Sequence, residues 1–106
     1  MDRDGESEFA VQAARTLARI EAALEAAGFD VERQGDGILE VEFEDGSKMV
    51  INRHNVAREI WVAARSGGFH FRAEGEAWVD TRSGEDLLDK LSRLVAEQAG
   101  EPFSIA

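Results

Sequence analysis

The 106-residue chain has no cysteine, no tyrosine and a single proline. Without cysteine there is no disulfide, no thiolate metal site and no thiol nucleophile, and the composition fits a reducing compartment. No apolar run approaches the ~20 residues that a membrane-spanning helix needs. The opening residues, Met1 to Glu8, are acidic and polar, unlike a secretory signal or an Arg-rich transit peptide. A soluble cytoplasmic protein is therefore the expectation. There is no Gly-x-Ser-x-Gly elbow and no phosphate-binding Gly-rich loop, because Ser66-Gly67-Gly68 is read as a hairpin turn with no helix after it. Nothing in the pattern marks a concave apolar pocket that would tune a carboxylate, so no catalytic residue is assigned and a non-enzyme is expected.

Positive charge is also scarce. Lys and Arg number 12 against 22 Asp and Glu, for a net charge of −10. The imbalance lies in one part of the chain: residues 1–45 hold 13 acidic and 4 basic side chains, whereas residues 46–106 hold 9 and 8. Such a field repels nucleic acid and anionic membranes and attracts cations or basic proteins. Solubility alone is the competing explanation.

What the chain does have is clear periodicity. Leu39, Val41 and Phe43 alternate with Glu40, Glu42 and Glu44, as in a strand with one buried face. After Asp45-Gly46 the alternation resumes at Met49 and Ile51. A two-residue loop would mix the faces. A three-residue loop, Glu44-Asp45-Gly46 with Gly46 left-handed, sets Val41 against Met49, Leu39 against Ile51 and Glu42 against Lys48. The last is an opposite-charge cross-strand pair, and the three-residue loop is preferred.

Around this hairpin, Phe9, Ala13, Leu17, Ile20 and Leu24 recur at helical spacing. Ser7 is the expected N-cap and Gly28 the stop, giving a helix over about 8–27 and leaving 1–6 disordered. Residues 29–34 read as a short strand, 52–58 as an irregular crossing, and 59–65, 69–72 and 77–80 as further strands, with Trp78 in the core. Parity points Trp61 outward. Ser83-Gly84-Glu85-Asp86 has the form of a capping box, followed by the stripe Leu87, Leu88, Leu91, Leu94 and Val95. Phe103 and Ile105 are expected to fold back on the body. The order is helix, five to six antiparallel strands, helix. It predicts one α+β domain, a two-layer sandwich with both helices on one face of the sheet.

Several of these stretches resemble the bacterial frataxin family: Phe-Glu-Asp-Gly-Ser-Lys-Met-Val-Ile-Asn-Arg (43–53), Glu-Ile-Trp-Val-Ala-Ala (59–64), Gly-Gly-Phe-His-Phe (67–71), Trp78, Asp80 and Arg82-Ser83-Gly84-Glu85. The resemblance runs from Ser7 to Ile105 and implies the same sandwich. It further implies an iron-binding accessory protein of iron–sulfur cluster assembly. Such a protein would bind a cysteine desulfurase through an acidic edge and a cluster scaffold protein through the sheet. It would be a monomer with possible iron-dependent oligomers. The chain departs from the family at His54, where Gln is usual, at Val56, where Pro is usual, in Gly35-Asp36-Gly37, which has one extra residue, and in helix 1, where Ala22, Ala23, Ala26 and Ala27 replace carboxylates.

Glu21 and Glu25 lie four apart on one helix face, and Asp30 and Glu32 share one strand face. All four match acidic positions of the family ridge and are the expected sites for weakly bound ferrous or ferric iron, since carboxylates are hard ligands. Glu40, Glu42, Glu44, Asn52, Trp61, His70 and Arg72 are the expected protein-binding residues. An outward Trp on a wet face is unusual and suits a contact anchor. His54 and His70 stand a whole strand apart and are not paired in this reading. The alternative function is an acidic adaptor or inhibitor of a basic partner that uses no metal. A metal hydrolase is a distant third.

Overall fold

A computed structural model describes residues 3–105. Its elements in chain order are α1 (Arg3–Ala26), β1 (Asp30–Gln34), β2 (Ile38–Glu42), β3 (Lys48–His54), β4 (Glu59–Ala64), β5 (Gly67–Glu74), β6 (Ala77–Asp80) and α2 (Leu87–Ala99). The six strands form one antiparallel sheet in simple sequence order. Each strand hydrogen-bonds the next, so no crossover is needed.

Period 2 on the strands and period 3.6 on the helices meet in one core. The inner face contributes Leu39, Val41, Met49, Ile51, Ile60, Val62, Phe71 and Trp78, and the helices answer with Phe9, Ala13, Leu17, Ile20, Leu24, Leu87, Leu91, Leu94 and Val95. Burying a side chain of this class stabilises by about 1.5–3 kcal/mol, so the shared core is what fixes both helices to one face. Phe29 links Phe43 and Phe103 through edge-on contacts at 5.8 and 5.5 Å. The C-terminal segment is tied down further where the Ile105 N–H donates to Ser92 Oγ at 2.9 Å.

The central hairpin has the expected register: Val41 faces Met49, Leu39 faces Ile51 and Glu42 faces Lys48. Phe43 and Ser47 close a three-residue loop, with Phe43 N–H donating to Ser47 O at 2.9 Å. Gly46 has φ +86°, a conformation that costs a Cβ-bearing residue more than glycine.

Four boundaries differ from the sequence reading. Helix α1 starts at Arg3, so Ser7 is inside it and not its cap, and residues 3–6 are helical; residues 1 and 2 lie outside the described residues. Strand β3 runs on to His54 because Asn52, Arg53 and His54 pair with Trp61, Ile60 and Glu59 of β4; only 55–58 turns. Strand β5 begins at Gly67 and extends to Glu74. At α2 the N-cap is Asp86, whose carboxylate accepts the Asp89 N–H at 3.1 Å. Ser83 instead accepts the Glu85 N–H at 3.2 Å, in the loop before the helix.

The β6–α2 junction is held by a buried ion pair, Lys90 Nζ to Asp80 Oδ2 at 2.6 Å. Asp80 Oδ1 also accepts the N–H groups of Arg82 and Ser83 at 2.7 and 3.1 Å. Burial pushes the Asp80 carboxyl upward, but Lys90 and these two amides outweigh it and bring its pKa down to about 2. Lys90 further sits 4.3 Å from the Phe69 ring centroid.

Candidate functional site

The outer face of the sheet has no helix over it and carries the polar half of every strand. Strand parity places Asp30, Glu32, Glu40, Glu42 and Lys48 together at its β1–β3 end. Asp30 lies directly opposite Glu42, and Glu32 directly opposite Glu40. Like charges facing each other across adjacent strands are destabilising. One cation stands among them: Lys48 reaches Glu40 at 3.3 Å. Its pKa is raised by the hydrogen bond and charge of Glu40, and by the charges of Glu42 and Glu32. The ammonium therefore reports a concentrated negative field, of the kind that accepts a cation or a basic surface.

The other expected acidic residues lie elsewhere. Glu21 is on α1 and is engaged with Arg33, at 2.6 Å, across the edge of the sheet. Glu25 is one turn further along α1 and exposed. Glu44 stands in the hairpin loop, where with Asp30, Glu42, Asp45 and Glu101 it lines a hollow of about 620 Å³ between α1, the hairpin and the end of α2. The four expected iron residues are thus divided: Asp30 and Glu32 belong to the outer face, Glu21 and Glu25 to the helix. Among the described residues no three His, Asp or Glu side chains converge to hold a metal ion. The donor set suits a hard cation, but only as a loose surface array without a fixed coordination shell.

The other end of the face is aromatic. Asn52, Trp61 and His70 lie side by side on β3, β4 and β5. The Trp61 indole is half-buried and covered on both sides, stacked with His54 at 3.8 Å between centroids and with His70 at 4.3 Å, the planes within 15°. The two histidines, separated in the sequence reading, therefore belong to one column. His54 reaches Trp61 diagonally, since its direct opposite is Glu59. Glu59 Oε1 accepts the indole N–H at 2.7 Å and lies 3.8 Å from His70 Nδ1. Arg72, opposite Glu59 on β5, donates to Glu74 at 3.3 Å.

Glu59 is the participant the sequence reading missed, and Lys48, read there as the cross-strand partner of Glu42, also reaches Glu40. Parity held the signal for Glu59, which is two residues before Trp61 and so shares its face. Between the two ends runs a row of low relief, in which Glu40 faces Val50, Val50 faces Ala63 and Ala63 faces Gly68. The face thus carries charge at one end and a braced indole at the other. It can present binding surface.

Comparisons with known proteins agree with this architecture. A family model for the frataxin-like domain matches residues 3–101. The iron–sulfur cluster assembly protein CyaY of Dechloromonas aromatica is 56% identical over 98 residues, covering 91% of this chain and 93% of that protein. The structure of frataxin from Psychromonas ingrahamii superposes with a TM-score of 0.85 at 32% identity, covering 95% of this chain and 97% of that one. Trimeric frataxin from Saccharomyces cerevisiae, complexed with ferrous iron, superposes at 0.74 with 26% identity over 85% of this chain and 87% of that one.

Proposed function

Since the chain belongs to the frataxin family, we propose that it is an accessory protein of iron–sulfur cluster assembly that acts by binding and not by catalysis. The acidic end of the outer face, Asp30, Glu32, Glu40 and Glu42, receives the basic surface of a cysteine desulfurase. Trp61, flanked by Asn52, His70 and Arg72, anchors the cluster scaffold protein. Iron is cargo in this reading, held weakly by the same carboxylates, with Glu21 and Glu25 extending the acidic surface onto α1. The observation that carries the proposal is the facing of Asp30 with Glu42 and of Glu32 with Glu40, which a cationic partner would relieve. Cluster assembly in one relative and bound ferrous iron in another support it.

The test is calorimetric titration against the cognate desulfurase and scaffold, with and without ferrous iron. Reversing charge at Glu32, Glu40 and Glu42 should abolish desulfurase binding, and raised salt should weaken the parent complex mainly by slowing association. Trp61→Ala should weaken scaffold binding by about 2 kcal/mol or more, roughly 30-fold, as for a central aromatic anchor. Unchanged affinities in these variants would remove the assignment of the two ends to the two partners.

A further inference from the structure

The indole on the outer face is gripped, and the grip has chemistry of its own. His54 Nδ1 accepts the backbone N–H of Ala57 at 3.2 Å. An amide N–H only donates, so Nδ1 carries no proton in this arrangement and the neutral ring bears its hydrogen on Nε2. The imidazole thereby does two things at once. Its face covers the Trp61 indole at 3.8 Å, and its edge ties down the turn that joins β3 to β4. Within that turn Arg58 has φ +55°, a left-handed conformation disfavoured for a residue with a side chain. The Arg58 N–H donates to Asn55 O at 3.3 Å.

We propose that His54 is a proton-controlled latch: neutral, it holds the 55–58 turn and clamps Trp61 in its docking position, and protonated, it releases both. A proton placed on Nδ1 turns the acceptor into a donor aimed at another donor, so the Ala57 bond breaks and the ring must turn away. Histidine is the side chain whose charge changes between about pH 5 and 8. His70 Nδ1 lies 3.8 Å from Glu59 Oε1, and charging it draws the ring toward that carboxylate. Charging His54, which also faces Glu59 across the strands, sets its Nδ1–H against the Ala57 N–H. The charged groups around the column are Glu59 on β4, Arg72 on β5, Arg53 on β3 and Arg58 in the turn, with Asp80, Arg82 and Lys90 lining the hollow beyond His70. His54 is a positioning residue, since it acts through Trp61. That part of the inference rests on the reading of Trp61 as the scaffold anchor.

The experiment follows the ring nitrogens of His54 and His70, the Ala57 amide and the Trp61 indole N–H by nitrogen-15 NMR of the free protein from about pH 8 to 5. The Ala57 and Trp61 signals should move together with the His54 titration. In His54→Gln, whose amide cannot titrate, both movements should vanish, whereas in His70→Gln the Ala57 movement should remain. Scaffold affinity of the parent protein should fall roughly tenfold across the same range as the docking-ready population falls to about a tenth, and should stay level in His54→Gln. Ala57 or Trp61 signals that ignore His54, or an equal loss of affinity in His54→Gln, would overturn the latch. Trp61→Ala at pH 8 addresses the docking reading separately: unchanged affinity there overturns that reading, while the NMR titration still decides the latch.

Discussion

Two regions of this molecule gather carboxylates, and they treat them in opposite ways. At the β6–α2 corner Asp80 and Glu85 meet Lys90 and Arg93. Lys90 reaches Asp80 at 2.6 Å and Glu85 at 3.4 Å, and Arg93 reaches Glu85 at 2.8 Å. The hydrogen bond from Arg93 is the largest influence that holds the Glu85 carboxyl below its usual range. On the outer face, Asp30, Glu32, Glu40 and Glu42 are set opposite one another and share one lysine. Both regions draw on the same side-chain chemistry. The corner satisfies its charges internally and so serves the fold. The outer face has one lysine to compensate its facing carboxylates, and an arrangement that lowers stability is where function is to be sought.

The corner should therefore be the more sensitive to mutation. Asp80→Ala leaves Lys90, which is only 6% exposed, without its main counter-charge. Breaking one side of a buried pair costs about 3–5 kcal/mol, and in a domain of this size each kcal/mol moves the melting point by roughly 4–8 °C. Chemical denaturation and thermal melting should both register this loss, and a loss below about 1 kcal/mol would erase the distinction between the regions. Replacing both partners with apolar residues of similar volume should be far milder, because the cost arises from an orphaned charge more than from the lost bond.

Acid should act on the corner in a defined window. The Asp80 carboxyl holds its proton more weakly folded, at about 2, than its ordinary value of 3.8. Its contribution to stability is thus complete above about pH 4 and is lost as pH falls toward 2. Urea midpoints measured across that interval should fall more steeply for the parent than for Asp80→Asn, which starts lower and has no such proton to bind. Equal slopes would remove Asp80 from the acid transition.

The corner was also the less legible region in the sequence. Lys90 falls three residues after Leu87 and four before Leu94, inside the apolar stripe. A cation there is a signal of a buried partner that helical spacing alone could have raised. The hairpin, by contrast, could be read to the residue, because a single slip would have turned Leu39, Val41 and Met49 outward and separated Glu42 from Lys48. The histidine column lay beyond such reasoning. Period-2 parity assigns faces, and it placed Trp61 and His70 correctly on the outside. A stack across three strands depends instead on a diagonal approach by His54 and on rotamers that alternation does not encode. The start of α1 was missed because an N-cap residue such as Ser7 is also tolerated within a helix.

The smallest change in stability, and the sharpest separation of the two regions, should come from the outer face. Glu32→Lys would place a cation opposite Glu40, and Asp30→Lys would place one opposite Glu42. Each replaces a repulsive cross-strand pair with an attractive one, worth roughly 0.2–1 kcal/mol, so both variants should melt slightly higher than the parent. The same substitutions should weaken desulfurase binding, because both reverse a charge on the acidic end of the face, and Glu32 is one of the carboxylates that raise the Lys48 pKa. Gain of stability with loss of binding is a combination that no change at the Asp80–Lys90 corner should produce. Glu21→Lys provides an internal contrast, since Glu21 already has a cation in Arg33 at 2.6 Å. Its reversal sets two positive charges together and should lower the melting point, not raise it. If Glu32→Lys and Asp30→Lys also melted lower, the facing carboxylates would be held by interactions within the fold. The outer face would then be a second structural cluster and not a surface awaiting a partner.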